Sequence, residues 1–142
     1  LIHPTLISNK DDYDTNEYVK IYSSADVNYE DILTTARLMI TDYSGVQYDF
    51  AYMNKPLIYF HTEALPPSYG DGMMDYKNMG FGSVISTEEE LVKTIKKAFD
   101  NKFVNDSKYE KRVKSFFKYL DYKNCERIYN VVKGDKNDSK NN

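Results

Sequence analysis

Short apolar runs alternate with polar, turn-forming segments along most of the chain, a pattern typical of strands that alternate with helices. Five apolar runs predict strands at residues 1–3, 19–22, 38–40, 57–60 and 83–85, the first of them only a strand remnant. The run LIYF at 57–60 is apolar on both faces, which is typical of a buried parallel strand.

Five segments with helical spacing or clear start and stop signals predict helices. Four lie at about 28–37, 46–53, 107–120 and 124–132, and the other runs from the capping residues at 86–90 to about 100. Asn28 can cap the first helix. Asn54, which tolerates a left-handed conformation, precedes the Lys-Pro pair that ends the second helix. Two overlapping capping boxes, in which Ser86 or Thr87 is the cap, precede the third helix.

These elements predict an α/β fold with a Rossmann-like, mostly parallel sheet and helices on both faces, ending in two or three C-terminal helices. Residues 61–82 form a loop of roughly twenty residues, longer than a compact domain usually carries without a function. We expect residues 1–133 to form the domain and the polar segment 134–142 to be disordered.

The segment ITDYSGVQYDF at 40–50 places turn formers and hydroxyls between a predicted strand and a predicted helix. Ligands of parallel α/β sheets bind outside the carboxyl ends of the strands, where this turn lies. We expect Ser44 to cap the helix in a capping box with Gln47, and the first helix amides to bind an anion such as phosphate. Gly45 would let the backbone approach the anion, Tyr43 and Ser44 add hydroxyl donors, and Asp49 can accept from a ribose.

The same residues also fit an ordinary strand-to-helix turn, in which Ser44 only caps and Asp49 is solvated. Spacing alone leaves both interpretations open, because no glycine-rich dinucleotide fingerprint and no Walker lysine are present. His3 and His61 follow two other predicted strands. His3 can be a phosphate ligand, a catalytic electrophile or a histidine satisfied inside a turn, and we interpret His61 as structural.

The composition of the chain argues against several classes of function and site. The formal net charge of −3 gives no general attraction to nucleic acid, and no run of about 20 apolar residues predicts a membrane span. Cys125 is the single cysteine, so an internal disulfide and a Cys/His zinc cluster are excluded. No signal peptide precedes the opening LIHP, which looks like a strand end with its turn, so we expect a piece of a longer protein.

Four blocks of the chain resemble one protein family in their order and spacing. The segment ITDYSGVQYDFAYMNKPLIYF at 40–60 is similar to the I-T-D-Y-S-S…D-F-A…K-P motif of the CDP-glycerol glycerophosphotransferases, the teichoic acid polymerases and primases of Gram-positive bacteria. The His3-Pro4 pair, the segment ISTEEELVKTIKKA and the segment DYKNCERIY, with Arg127 in register, match further blocks. The resemblance spans about residues 1–133.

The resemblance implies a GT-B architecture, in which two Rossmann-like domains enclose the active site and this chain is the C-terminal, nucleotide-binding half. It implies that a hydroxyl at the end of an acceptor polymer attacks the β-phosphorus of CDP-glycerol, that CMP leaves, and that no metal or other cofactor takes part. His3 becomes the candidate catalytic residue. The residues implied to bind the donor are Thr41, Asp42, Tyr43, Ser44, Gly45, Asp49 and Arg127. Arg127 would either reach the cleft or tie the last helices down.

Two departures from the family leave the donor and the polyol open. The family usually has a second serine where this chain has Gly45, and its Pro-Gly-Pro sequence after the long loop reads Gly80-Phe81-Gly82 here. A GT-B glycosyltransferase that uses a sugar nucleotide and a non-catalytic nucleotide-binding module stay as alternatives. A response-regulator receiver domain is disfavoured, because no acidic pair follows the first predicted strand.

The predicted helix at 107–120 is basic and amphipathic, with an apolar stripe formed by Tyr109, Val113, Phe116, Phe117 and Leu120. Such a helix can lie on a membrane, although a stripe of this kind more often packs into a core. Together with the resemblance, it points to a peripheral enzyme at the cytoplasmic face of the bacterial plasma membrane, acting on a lipid-linked or polymer acceptor.

Overall fold

The structure, a computed structural model, describes residues 12–23, 25–62 and 74–134. The chain divides into two compact units, Leu1–Arg37 and Leu38–Asn142. The predicted strand remnant at 1–3, which includes His3, and the predicted disordered tail after Gly134 lie outside the described residues.

The first unit contains one described helix, α1 (Tyr29–Thr35). Asn28 caps it as predicted, because its side-chain oxygen accepts a hydrogen bond of 2.9 Å from the Glu30 amide. The helix ends at Thr35, before the predicted end at 37, where two threonine hydroxyls bond back to helix carbonyls and Ala36 becomes extended.

The strand predicted at 19–22 is wrong, because a local turn competes with it. The Asn16 side chain accepts hydrogen bonds of 2.8 Å from the amides of Tyr18 and Val19, and the Asn16 amide donates to the Val19 carbonyl. A polar side chain that binds its neighbouring backbone offers the chain an alternative to a strand ladder. Val19 and Tyr22 are exposed, so this apolar run is not part of a core.

The second unit is built on three described parallel strands in the order β1 (Met39–Thr41), β2 (Leu57–Phe60) and β3 (Gly82–Ile85). The β2 residue Leu57 pairs with Met39 on one side and Gly82 on the other. The central strand is buried at its first three residues, as its apolar pattern predicts. The predicted α/β fold with a parallel, Rossmann-like sheet is confirmed.

Helices surround this sheet. The helix α2 (Gln47–Tyr52) connects β1 to β2, and the short helix α3 (Tyr76–Met79), which the sequence pattern did not predict, precedes β3. Three longer helices follow β3 near their predicted positions: α4 (Glu88–Asp100), α5 (Ser107–Phe116) and α6 (Asn124–Lys133).

Helix ends follow local signals where no tertiary contact intervenes. Thr87 caps α4 by accepting from the Glu90 amide at 3.3 Å, so the second of the two overlapping boxes supplies the cap. Asn54 follows α2 with a φ of 54°, the predicted left-handed residue. The helix α5 ends at Phe116 instead of 120, because Phe117 leaves it and packs its ring against Tyr52, 5.3 Å between ring centroids.

The core lies between the central strand and its neighbouring helices. Its buried apolar side chains come from α2, β2, α3, the residue before β3 and α5: Phe50, Ala51, Leu57, Ile58, Tyr59, Tyr76, Phe81 and Val113. The α5 stripe is used in packing here, since Val113 is buried and the Tyr109 hydroxyl lies 3.2 Å from that of Ser83. No described helix is long and apolar enough to cross a membrane.

Candidate functional site

The turn formed by residues 42–45, called the 42–45 turn below, lies at the carboxyl end of β1, beside the carboxyl end of β2. The register pairs Thr41 with Tyr59, and extending it by two positions places Tyr43 opposite His61. The Tyr43 ring stacks on the His61 ring, with 4.0 Å between centroids and 20° between planes. The sheet therefore brings the predicted donor-binding turn and His61 to one edge.

Tyr76 completes a cluster of three rings at this edge. It meets Tyr43 and His61 edge-on, with centroid distances of 5.5 and 4.8 Å and interplanar angles of 84° and 83°. Edge-to-face contact is a favoured geometry for aromatic pairs. Because Tyr76 is buried and belongs to α3, the segment before β3 supports the 42–45 turn through these rings.

His61 is held on two sides. Its backbone amide donates to the Ile85 carbonyl at 2.8 Å, which ties it to the end of β3. Its ring Nε2 lies 3.0 Å from the Asp42 carbonyl oxygen. Because a carbonyl oxygen can only accept, Nε2 carries the proton in this hydrogen bond.

The predicted capping box of Ser44 with Gln47 is wrong. The residue that precedes α2 is Val46, which already has helical angles (φ −59°, ψ −17°) and gives no side-chain cap. The Ser44 carbonyl accepts from the Gln47 amide at 3.3 Å, so the chain curls into a helical turn before the expected cap position is reached. The Ser44 hydroxyl makes no hydrogen bond to another described residue.

Gln47 is unavailable for a capping box because its side chain is buried in the core. Its Oε1 accepts from the Tyr59 hydroxyl at 2.7 Å, and its Nε2 lies 3.5 Å from the Tyr76 hydroxyl. The Tyr59 oxygen in turn accepts from the Phe81 amide at 3.1 Å. Burial raises the pKa of the Tyr59 phenol, so the hydroxyl keeps its proton and the network joins α2, β2 and the residue before β3.

The 42–45 turn presents unused donors. The backbone amides of Ser44, Gly45 and Val46 donate to no other described residue, and Ser44 and Gly45 are exposed. A Cβ built on Gly45 would meet no atom within 4 Å, so space is open in front of the backbone there. These groups can bind an anion by hydrogen bonds from successive amides and one hydroxyl.

The charges around the turn are mostly negative. Asp42 and Asp49 are exposed, and Asp49 lies in the first turn of α2. Within the set made up of the 42–45 turn, Asp49, His61 and Tyr76, His61 is the group that can carry a positive charge. Among the described residues, no cluster of three or more His, Cys, Asp or Glu is suited to a metal ion.

A protein-family model matches nearly the whole chain. Residues 1–134 match the model of the CDP-glycerol:poly(glycerophosphate) glycerophosphotransferases. The chain belongs to this family. It is 36% identical over 132 residues to the minor teichoic acid biosynthesis protein GgaB of Bacillus subtilis (strain 168). It is also 28% identical over 134 residues to the teichoic acid glycerol-phosphate primase of the same organism.

A third relative in this glycerophosphotransferase family is the teichoic acid poly(ribitol-phosphate) polymerase of Bacillus spizizenii, 28% identical over 136 residues. Each of the three alignments covers 92% of this chain, but only 14%, 33% and 21% of GgaB, the primase and the polymerase. The chain therefore spans a third or less of the length of these relatives. No solved structure matches the chain significantly.

The remaining predicted site residue of this family member, Arg127, has partners within its own segment. Its guanidinium pairs with the Asp121 carboxylate, donates to the Asn124 side chain at 3.0 Å and lies 3.8 Å from the Tyr119 ring centroid. Hydrogen bonding to Arg127 lowers the pKa of Asp121 to about 2. Of the two roles expected for Arg127, these contacts favour the structural one, in which Arg127 holds α6 to the segment that precedes it.

From the sequence we note that His61 follows a predicted strand but interpret it as structural, and Tyr76 receives no role. The signal for His61 is its place directly after the apolar run at 57–60, which puts it at the same sheet edge as the turn after β1. No comparable signal marks Tyr76, since its place depends on the short helix α3 within a segment that reads as a loop.

Proposed function

We propose that this chain binds the nucleotide donor of a glycerophosphotransferase. The enzyme moves glycerol phosphate, or a related polyol phosphate, from CDP-glycerol to the hydroxyl end of a cell-wall polymer in teichoic acid synthesis. One observation carries the proposal. In a member of this family, the 42–45 turn and the following residue Val46, at the carboxyl edge of the sheet, offer a hydroxyl and three amides without described partners.

In this reaction the acceptor hydroxyl oxygen attacks the β-phosphorus of the donor and loses its proton to a base. The bond from that phosphorus to the bridging oxygen breaks, and the electron pair leaves with CMP. Negative charge grows on the phosphate oxygens as this happens, and fixed donors aimed at those oxygens lower the barrier. The amides of Ser44, Gly45 and Val46, together with the Ser44 hydroxyl, supply such donors, while Asp49 accepts from the ribose.

In this proposal the acceptor polymer binds to a part of the enzyme outside this chain. Because the chain spans a third or less of the length of these three relatives, we place the acceptor groove in a second Rossmann-like domain of a GT-B enzyme. His3, which lies outside the described residues, stays the candidate catalytic residue of this proposal. The enzyme would work at the cytoplasmic face of the plasma membrane, where a lipid-linked polymer is within reach.

Calorimetry with CDP tests the donor site in the chain itself. We expect a dissociation constant of roughly 0.1–1 mM, typical of a half-enclosed site. Ser44→Ala should weaken binding by about 1–2 kcal/mol, because one donor to a charged oxygen is lost. Ser115→Ala, which removes an exposed serine from α5, is the matched control and should leave binding unchanged. Equal affinity of folded Ser44→Ala and the parent chain would refute the site.

Product analysis separates the proposed reaction from sugar transfer. The longer enzyme should release CMP from CDP-glycerol in the presence of acceptor, whereas a GT-B glycosyltransferase would release a nucleoside diphosphate. The chain alone should release no CMP above background, because bringing two substrates together supplies about 7–11 kcal/mol of such a barrier. Steady CMP release by the chain, abolished by Ser44→Ala, would place the base within these residues.

A further inference from the structure

We infer that His61 is a positioning residue of the donor site, whose ring fixes the 42–45 turn in the shape that receives the diphosphate. The inference rests on the proposed function and adds a residue to it. His61 lies outside the motif that carries the family resemblance, and it is set apart by its contacts, a hydrogen bond to Asp42 and a ring stack on Tyr43.

The hydrogen bond acts on the backbone of the turn itself. Nε2–H donates to the Asp42 carbonyl, so it restrains the peptide that leads into Tyr43 and Ser44. Since the proton is on Nε2, the lone pair of the neutral ring is on Nδ1. No described residue bonds to Nδ1, which therefore remains available at the ligand edge.

The ring contacts orient the imidazole for this hydrogen bond. Tyr43 is a residue of the turn, and it lies against His61 on one side and the edge of the buried Tyr76 ring on another. His61 itself is tied to β3 by its amide, and Tyr76 reaches Gln47 in the core. A turn with a glycine and exposed polar residues would otherwise have to be ordered when the ligand binds, which reduces affinity.

Two variants separate the hydrogen bond from the ring. His61→Phe keeps an aromatic ring for the stack on Tyr43 but has no donor for the Asp42 carbonyl. His61→Gln loses the ring but can place an amide N–H at a similar reach. We expect His61→Phe to weaken both CDP and pyrophosphate about ten-fold, the value of one hydrogen bond, and His61→Gln to stay within about three-fold of the parent chain.

A merely structural role would change affinity only together with stability. The positioning role instead predicts that His61→Gln binds better than His61→Phe although the two variants are equally stable. Urea unfolding should give similar free energies for the two variants, while their affinities differ. Loss of affinity that follows loss of stability in both variants would overturn the inference, as would equal affinities for His61→Phe and the parent chain.

Spectra of the ligand-free chain test the inference independently of nucleotide binding. Imidazole ¹⁵N shifts should show the Nε2–H tautomer of His61, assigned by its absence in His61→Gln. Backbone ¹⁵N relaxation of residues 42–45 should show more motion in His61→Phe than in His61→Gln. An Nδ1–H tautomer, or unchanged motion, would overturn the inference. If the spectra agree with it while the parent chain binds neither CDP nor pyrophosphate, the proposed function fails and the restraint on the turn stands.

Discussion

Two glycines of the second unit, Gly82 and Gly45, differ in the space that a side chain would have. A Cβ on Gly82 would overlap the carbonyl group of Leu57, because this is where β3 pairs with β2. We expect Gly82→Ala to lower the free energy of unfolding by at least about 1–3 kcal/mol, since the strands must separate to relieve the overlap. Urea denaturation measures this change.

Gly45→Ala is the matched control for that experiment. The space in front of Gly45 is open, so the same added methyl group should change stability by no more than about 0.5 kcal/mol. A comparable loss in both variants would show that backbone freedom, rather than the approach of Leu57, makes Gly82 necessary.

The carboxylate of Asp49 gives a second prediction for a single residue. If it accepts from the ribose, Asp49→Asn should weaken CDP binding by about 1–2 kcal/mol, because a charged acceptor becomes neutral. Pyrophosphate, which has no ribose, should bind almost as before. Asp31→Asn, in the first turn of α1, controls for a change of charge near a helix start. Titration calorimetry with both ligands measures the two affinities. Equal losses of affinity for CDP and pyrophosphate would mean that Asp49 acts through the electrostatic field of the protein and not through the ribose.

Among the elements, α6 is joined to the segment that precedes it by the ion pair of Arg127 with Asp121. This ion pair makes the attachment of α6 depend on pH. Hydrogen bonding to Arg127 lowers the pKa of Asp121 to about 2, below the ordinary value of about 3.9. A depressed pKa in the folded state contributes stability that is present above the ordinary value and is lost as the pH falls through the folded one. The attachment of α6 should therefore weaken between about pH 4 and pH 2.

A carboxyl NMR titration checks this dependence. Arg127→Gln should return the Asp121 pKa towards its ordinary value, and the backbone amides of α6 should lose protection in the same variant. Lys114→Gln removes another exposed ion pair, with Glu110 on α5, and should leave the Asp121 titration where it is. An unchanged Asp121 pKa in Arg127→Gln would contradict the assignment.

Elements were predictable where the signal was local. The strand β2 has an apolar pattern of its own, Asn28 and Thr87 accept from backbone amides two and three residues away, and Asn54 takes the left-handed φ that its residue type tolerates. The two errors have different causes, a local turn in one case and a distant partner in the other. The run at 19–22 has strand composition but a competing turn, and α3 is a short helix whose Tyr76 is buried against β2.

The candidate site likewise has features that the sequence predicts and features that depend on tertiary contacts. The position of the candidate site follows from the rule that ligands bind at the carboxyl ends of parallel strands, so the sequence could point to the 42–45 turn. The failed cap shows the limit, because Gln47 satisfies a capping-box pattern and yet is drawn into the core by two tyrosine hydroxyls. The stack of Tyr43 on His61 required the strand register, which sequence spacing alone does not supply.

On the scale of the whole molecule, α6 exposes its apolar side. Ile128 and Val132 are 64% and 81% exposed, whereas Arg127 and Asn130 are partly buried. Because these apolar side chains have little packing to lose, Ile128→Lys and Val132→Lys should change the free energy of unfolding by no more than about 0.5 kcal/mol. They should also raise solubility, since they break up an exposed apolar patch.

Val113→Ala is the buried control for these surface variants. It removes methyl groups from the core and should cost about 2–3 kcal/mol. Urea denaturation gives the stabilities, and precipitation by ammonium sulfate gives the solubilities. A large loss of stability in Ile128→Lys would show that the exposed side of α6 is packed in solution.

The order of the strands also bears on how fast the chain folds. In this sheet the neighbours in space are neighbours in sequence, with β2 between β1 and β3. Pairing each neighbour with β2 closes a loop of only roughly fifteen to twenty residues, so the entropy lost before the first strand contacts form is small for a parallel sheet. Folding should therefore start from β2 with either neighbour, and the amides of β2 should be the first to gain protection from hydrogen exchange after dilution from denaturant.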